Sequence, residues 1–293
     1  MALDTSKIKL PHSAVLEIAA KAKNKSTIAA LSTPIPQLFA DTDHMVFDGS
    51  AEAEVVAEGA KKGSYEQEIK AVEGKRVKLV TTTRVTSELK WADEDNRLEI
   101  IKAVIADQTA ALGRAIDYVV YHAINPKGGA ALGGGYTALT AGAHAVTAGD
   151  DLTVDIDSML EKLIDDEVNG FAMSRKLAFD LRKLRIPSTG MRLYPEIPMS
   201  LEAGSFDGIP ACVSGTVDAK IASTPTKVLG IMGNFDMIKW GMVRDIYSEI
   251  IEYGDPDQTG VDLKANNQLA LRTESMFSYA VLDAEAFSVL KTQ

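Results

Sequence analysis

This sequence predicts an α+β fold, and three observations carry that prediction. Val77-Lys-Leu-Val-Thr-Thr-Thr-Arg-Val85 is rich in the β-branched residues that fit a pleated strand. Leu98, Ile101, Ile105, Leu112, Ile116 and Val119 recur at spacings of three, four and seven, one apolar stripe of a long amphipathic helix. Beyond that helix, strand and helix patterns follow one another without the regular βαβ alternation of a parallel sheet.

Residues 1–45 hold short fragments and the prolines Pro11, Pro34 and Pro36, with one helical stretch at 15–23. They read as an extended arm that needs a partner surface to become ordered. Ala51-Glu-Ala-Glu-Val-Val-Ala-Glu58 alternates charged with small or apolar residues, as a strand with one solvated face does. Gly59 to Gly63, with Lys61 and Lys62, is a turn signal, and alternation resumes over 65–71. A charged hairpin with so few apolar residues is barely stable alone and must find its packing elsewhere. The packed strand 77–85 follows it.

Asp93-Glu-Asp-Asn96 opens the long helix with acidic residues that suit the helix dipole. The helix runs to about Ile124, where Asn125-Pro126 and glycines stop it, and at ~1.5 Å per residue it spans roughly 45 Å. It is a spine. A glycine- and alanine-rich loop is expected at 128–148. A second helix is expected at 151–169, with Leu160, Leu163, Ile164 and Val168 on its inner face. A strand at 171–173, a third helix at 174–185 and strands at 211–213 and 228–232 come next. A strand at 242–252, a mobile acidic loop at 254–260, strands at 268–274 and 278–282 and a short closing helix complete the expectation. No internal repeat is visible.

The chain has 293 residues, 46% hydrophobic and 25% charged, ordinary values for a globular protein of one large or two modest domains. No apolar run approaches the length of a transmembrane helix, and residues 1–10 do not read as a signal peptide. A net charge of −10 argues against a reader of nucleic acid, which needs clustered Lys and Arg. It is neutral for a container, because an acidic wall leaves enclosed DNA mobile. The lone Cys212 sits in an apolar stretch as a small hydrophobe, and its single occurrence fits a reducing compartment, the cytoplasm of the synthesising cell.

The candidates for chemistry are weak. His12, His44, His122 and His144 are scattered without the clustering a zinc site wants. Gly133-Gly-Gly135 lacks the Gly-Lys-Ser/Thr ending of a phosphate loop and reads as a flexible connection. Asp255-Pro-Asp257-Gln-Thr259-Gly260 resembles half of a calcium loop, but the twelfth position is Asn266 where a bidentate Glu is required. Asp155, Asp157, Asp165, Asp166 and Glu167 are carboxylates of a solvated helix face before they are metal or acid–base groups. With no nucleophile paired to a base, an enzyme is not expected, no cofactor is implied, and no catalytic residue is assigned.

The wording of several segments resembles one family, the major capsid proteins of tailed bacteriophages with the Hong Kong 97-type fold. Ala53-Glu-Val-Val-Ala-Glu58-Gly is similar to the family's hairpin opening, with Val55 where Trp is common. Residues 78–89 resemble its strand before the spine, ending here in Val85-Thr-Ser87-Glu-Leu89. Phe171-Ala-Met173-Ser resembles its Val-Met-Asn strand, with Leu181-Arg182-Lys183-Leu184 after it. Phe206-Asp-Gly208-Ile-Pro210-Ala-Cys-Val213 is similar to its Leu-x-Gly-x-Pro-Val turn. Gly230-Ile-Met-Gly233-Asn-Phe235 resembles its Gly-Asp-Phe element, with Asn234 for the usual Asp. Gly260-Val-Asp262-Leu, Asn267, Leu271-Arg272-x-Glu274 and Asp283-Ala-Glu285-Ala286-Phe287 resemble its C-terminal signature. Each motif alone is weak, but together and in this order they are specific, and they cover residues 47–290.

The resemblance implies a structural protein that forms pentamers and hexamers and tiles an icosahedral shell around double-stranded DNA, without reading its sequence. It implies an arm at 1–46, an extended hairpin loop at 47–76, a peripheral domain with the spine helix at 77–135 and 243–275, and an axial domain at 136–242 and 276–293. Many relatives carry an N-terminal scaffold domain; a separate scaffolding protein, or none, is expected here, with a portal as a further partner. The location implied is the virion capsid, reached from the host cytoplasm, with no membrane partner. Some members join subunits by a Lys–Asn isopeptide bond with a nearby Glu as proton acceptor; Lys61, Lys62 or Lys70, Asn267 and Glu274 are the residues that match. The alternative is an encapsulin, a compartment of the same fold that encloses enzymes.

Overall fold

The computed structural model describes residues 26–35, 43–48, 53–64, 68–88 and 94–292. The helix expected at 15–23, His12, and Trp91 to Asp93 before the spine lie outside the described residues. The elements in chain order are α1 (Thr27–Leu31), β1 (Asp43–Asp48), β2 (Glu68–Glu73), β3 (Lys75–Thr86), α2 (Glu94–His122), α3 (Leu139–Gly142) and β4 (His144–Thr147). Then come α4 (Leu152–Glu161), β5 (Gly170–Met173), α5 (Arg175–Lys183), β6 (Ser205–Phe206), β7 (Ile209–Val213), β8 (Val228–Gly233), β9 (Ile238–Ile251), β10 (Gln268–Val281) and β11 (Phe287–Lys291). The strands form a β1–β2 pair, a three-stranded sheet β3-β10-β9 and a six-stranded sheet β4-β11-β8-β5-β7-β6. Among the described residues only β4–β11 and β5–β7 are parallel pairs, so the class is α+β as expected.

The spine is α2, 29 residues long and therefore about 43 Å. Its first turns lean Ile101 and Val104 on a small cluster of Val85, Leu269 and Leu271 from β3 and β10. Ile105 is half-buried, whereas Leu112, Ile116 and Val119 enter the main core. The side chain of Leu98 lies outside the described residues. Ala115, Val120 and Tyr121 are buried as well, so the last third of the helix is enclosed on more than its predicted stripe. It ends in an αL cap: the Ala123 N–H reaches the Val119 carbonyl at 3.0 Å, and the Ile124 N–H reaches the Tyr118 carbonyl at 3.3 Å. Ala123 takes the left-handed φ of +50° that this cap requires.

Several expectations are corrected. Residues 53–58, the described part of the strand expected at 51–58, are not strand; the hairpin pairs lower down, Asp43 with Glu73 through Asp48 with Glu68. Thus β1 starts within the segment read as arm. The glycine-rich connection contains α3 and β4. The second helix stops at Glu161, and its face is turned from the one expected. Met159 and Leu163 are fully buried, while Leu160 and Ile164 are exposed. The strands at 268–274 and 278–282 are one strand, β10, continuous through an irregular register near Met276. The closing helix is instead the strand β11, set between β4 and β8 with both faces covered. A central strand of that kind shows a continuous apolar run and no alternation, which is why its period was not visible.

Candidate assembly elements and buried polar anchors

The hairpin tip has no core. Residues 53–64 are exposed apart from a half-buried Val56, and Val55 is fully exposed. Among the described residues the tip bonds to itself: the Gly63 N–H donates to Glu54 Oε2 at 2.9 Å and the Ala60 N–H to the Ala57 carbonyl at 3.0 Å. Gly59 turns the chain at φ +81°. Lys61 and Lys62 are exposed on the tip, and Lys70 is exposed on β2 opposite Val46.

The other crosslink candidates lie on the three-stranded sheet. Asn267 is exposed at the start of β10, its carbonyl accepting the Ser87 N–H at 2.7 Å. Glu274 lies further along the strand, with Lys78 Nζ 3.2 Å from its carboxylate. Seven residues of strand place the two roughly 23 Å apart. One subunit therefore does not bring Asn267 and Glu274 together.

The acidic loop read as mobile is pinned. Arg84 on β3, with a side chain only 7% exposed, grips Asp257 with Nε and Nη2 and donates to Asp255 Oδ1 at 2.5 Å. Its Nη1 reaches the Val261 carbonyl at 2.9 Å. Asp255 in turn accepts the Thr259 and Gly260 N–H groups. The Arg84 hydrogen bond holds the Asp257 carboxyl below the usual carboxylate range. The half calcium loop is thus charge-matched by a guanidinium from the neighbouring sheet.

The remaining candidates do not converge. Among the described residues no group of three or more His, Cys, Asp or Glu could hold a metal ion. Asp155 on α4 is buried and accepts the Gly149 N–H at 3.0 Å, tying the preceding loop to its helix, while Asp157, Asp165, Asp166 and Glu167 are exposed. Cys212 is half-buried on β7, and His44 and His144 are half-buried on separate strands. Gly134 and Gly135 sit at positive φ in a connection. A groove of about 690 Å³ beside the spine is lined by Lys78, Val80, Ala111, Lys127, Asp257 and Arg272 among others. It holds no nucleophile beside a base.

Sequence reading missed Asp117. This spine residue is completely buried, and burial pushes its carboxyl above the usual range against the pull of its donors. Ser26 Oγ donates to Oδ1 at 2.6 Å, and the Thr27 and Ile28 N–H groups donate to Oδ2 and Oδ1 at 2.8 and 3.2 Å. Thr216 Oγ1, from the segment after β7, donates to Oδ2 at 2.5 Å. One turn on, Tyr121 OH lies 2.8 Å from Thr27 Oγ1. A Ser-Thr pair before an apolar run is a helix N-cap signal at Ser26, but nothing local names its partner.

His122, also buried, has Nε2 3.0 Å from the Val217 carbonyl, and desolvation lowers its pKa from 6.5 to about 4. Between those two values the unfolded chain binds a proton that the folded one refuses, so stability falls as the solution is acidified. The full shift corresponds to about 3 kcal/mol. Denaturant unfolding of the wild type and His122→Gln from pH 7 to pH 4 should show the wild type losing that much more. Parallel pH profiles would contradict this.

The sequence model of the phage capsid family matches residues 10–292. Among solved structures, a chain from Mycobacterium phage Ogopogo is 31% identical and superposes with a TM-score of 0.81, covering 92% of each chain. A chain from Gordonia phage Cozz is 29% identical with a TM-score of 0.78, covering 92% of this chain and 87% of that one. The capsid of an empty GTA particle shares the fold at 15% identity, with a TM-score of 0.62 over 91% of this chain and 89% of that one. No curated protein matches the sequence.

Proposed function

Because this chain belongs to the phage capsid family and is a structural protein of a virion capsid with the Hong Kong 97-type fold, we propose that it closes into an icosahedral shell of pentamers and hexamers around double-stranded DNA. The hairpin is the observation that carries this reading. A projecting tip with exposed Val55 and no packing of its own is built to lie on another copy of the chain. The net charge of −10 suits a wall that confines DNA without gripping it. The encapsulin reading gains no support from the matched relatives. Electron microscopy of purified particles with a nucleic-acid assay tests the proposal.

In this reading residues 1–46 are the arm and 47–76 the extended hairpin loop. Residues 77–135 and 243–275, with the spine and the three-stranded sheet, make the peripheral domain. Residues 136–242 and 276–293, with the six-stranded sheet, make the axial domain. The chain is not an enzyme, takes no cofactor, and works with a separate scaffolding protein and a portal. No helix among the described residues is long and apolar enough to cross a membrane.

An isopeptide bond would need a Lys61, Lys62 or Lys70 amine to displace ammonia from the Asn267 amide, with a Glu274 carboxylate brought by another copy. Glu274 is already engaged by Lys78. Boiled, denatured particles should run as a single band at monomer mass. A ladder of covalent oligomers that is lost in Asn267→Asp or Glu274→Ala would instead assign the bond to these residues.

A further inference from the structure

Residues 26–35 cross the body on two polar fastenings. At one end is Asp117; at the other, the Trp240 indole N–H on β9 donates to Ser32 Oγ at 2.7 Å and the Ile35 N–H to the Trp240 carbonyl at 2.8 Å. Ile28 is the one apolar side chain of the segment fully buried, with Leu31 half-buried; Ser26, Thr27 and Ser32 are buried through their polar partners, and Ala29, Ala30 and residues 33–35 are exposed. A segment with so little buried apolar surface, flanking a core closed by other elements, is the kind of unit that opens below the global unfolding free energy.

We propose that residues 26–35 form a strap that opens and closes as a unit of its own, with the Asp117 carboxyl as its latch. Each carboxylate oxygen accepts one backbone N–H, Thr27 on Oδ2 and Ile28 on Oδ1. A backbone N–H cannot turn round and accept, so both oxygens must be acceptors. An asparagine fails in either orientation, because its NH₂ always meets an N–H. The latch also gathers Thr216, which follows the six-stranded sheet, while the far end holds Trp240 in the three-stranded sheet. The closed strap therefore ties the two sheets together at the spine, beside the core cluster they share, and opening it releases that tie without unfolding either sheet. This goes beyond the shell-building reading and does not depend on it.

Hydrogen exchange followed by mass spectrometry on the full chain tests the proposal. In the wild type, amides of residues 27–32 should exchange faster than those of β8 and β11. Asp117→Asn should speed them a further tenfold or more, a factor of about ten per lost charge-assisted bond, with β8 and β11 unchanged. Thr216→Val and Ser26→Ala each remove one hydroxyl donor (Ser26→Ala also the acceptor of the Ala29 N–H) and spare the backbone N–H donors, so they should give smaller increases confined to the same residues. They decide the matter should Asp117→Asn fail to fold. Exchange of 27–32 at the rate of β8 in the wild type, or an acceleration in the variants shared by β8, would overturn the strap.

Discussion

Replacing residues 49–67 by a two-residue Asn-Gly turn should leave a folded, soluble subunit that closes no shell. The last registered pair of the hairpin is Asp48 with Glu68, so a tight turn there keeps β1 and β2 and removes only what projects beyond them. The described residues of the tip, 53–64, contribute nothing to the hydrophobic clusters, so melting should be nearly unchanged. Assembly is the property at stake, because a tip with Val55 fully open to solvent offers apolar surface for a neighbouring copy to cover. Sedimentation velocity reads the result directly. Closed particles of normal size from the shortened chain would remove the hairpin from the assembly mechanism.

Leu112→Asp should be the most damaging single substitution on the spine. Leu112 is 5% exposed and packs in the main core with Ile116, Val119 and the inward residues of β3, including Val77 and Leu79. The change removes a buried leucine and leaves an unpaired carboxylate in its place, several kcal/mol in total. Against a stability of about 5–15 kcal/mol, that is enough to give insoluble chain or a melting point lowered by roughly 10 °C or more. Ile105→Asp on the same predicted stripe should cost clearly less, since Ile105 is half-buried. Equal melting losses for the two variants would mean that the burial gradient along the helix is wrong.

What could be read beforehand follows from where period and partner are local. The spine announces itself through an apolar stripe, β3 through a β-branched run, and β5, β7 and β8 through short apolar stretches; their order carries the family resemblance. The strand β11 did not, because Phe287 to Leu290 are all buried and the preceding Asp283 and Glu285 look like a helix start. The loop at 254–260 looked mobile because the cation that orders it, Arg84, is 171 residues from Asp255 in sequence. The same distance problem hid the strap. Asp117 reads as one more charge on a helix flank, and its donors Ser26, Thr27, Ile28 and Thr216 come from both ends of the chain. Of the crosslink candidates, sequence spacing suggested a pair at Asn267 and Glu274, and strand geometry spreads that pair along β10.

The central claim is that many copies of this chain close into a shell around DNA. Cryo-electron microscopy of purified particles, with their nucleic-acid content measured on the same sample, tests it most directly. The account expects closed icosahedral shells of pentamers and hexamers, each hairpin tip resting on a neighbouring subunit, and nuclease-protected double-stranded DNA inside the mature particle. Small shells packed with protein cargo and free of DNA, or a chain that forms no closed particle in the infected cell, would contradict it.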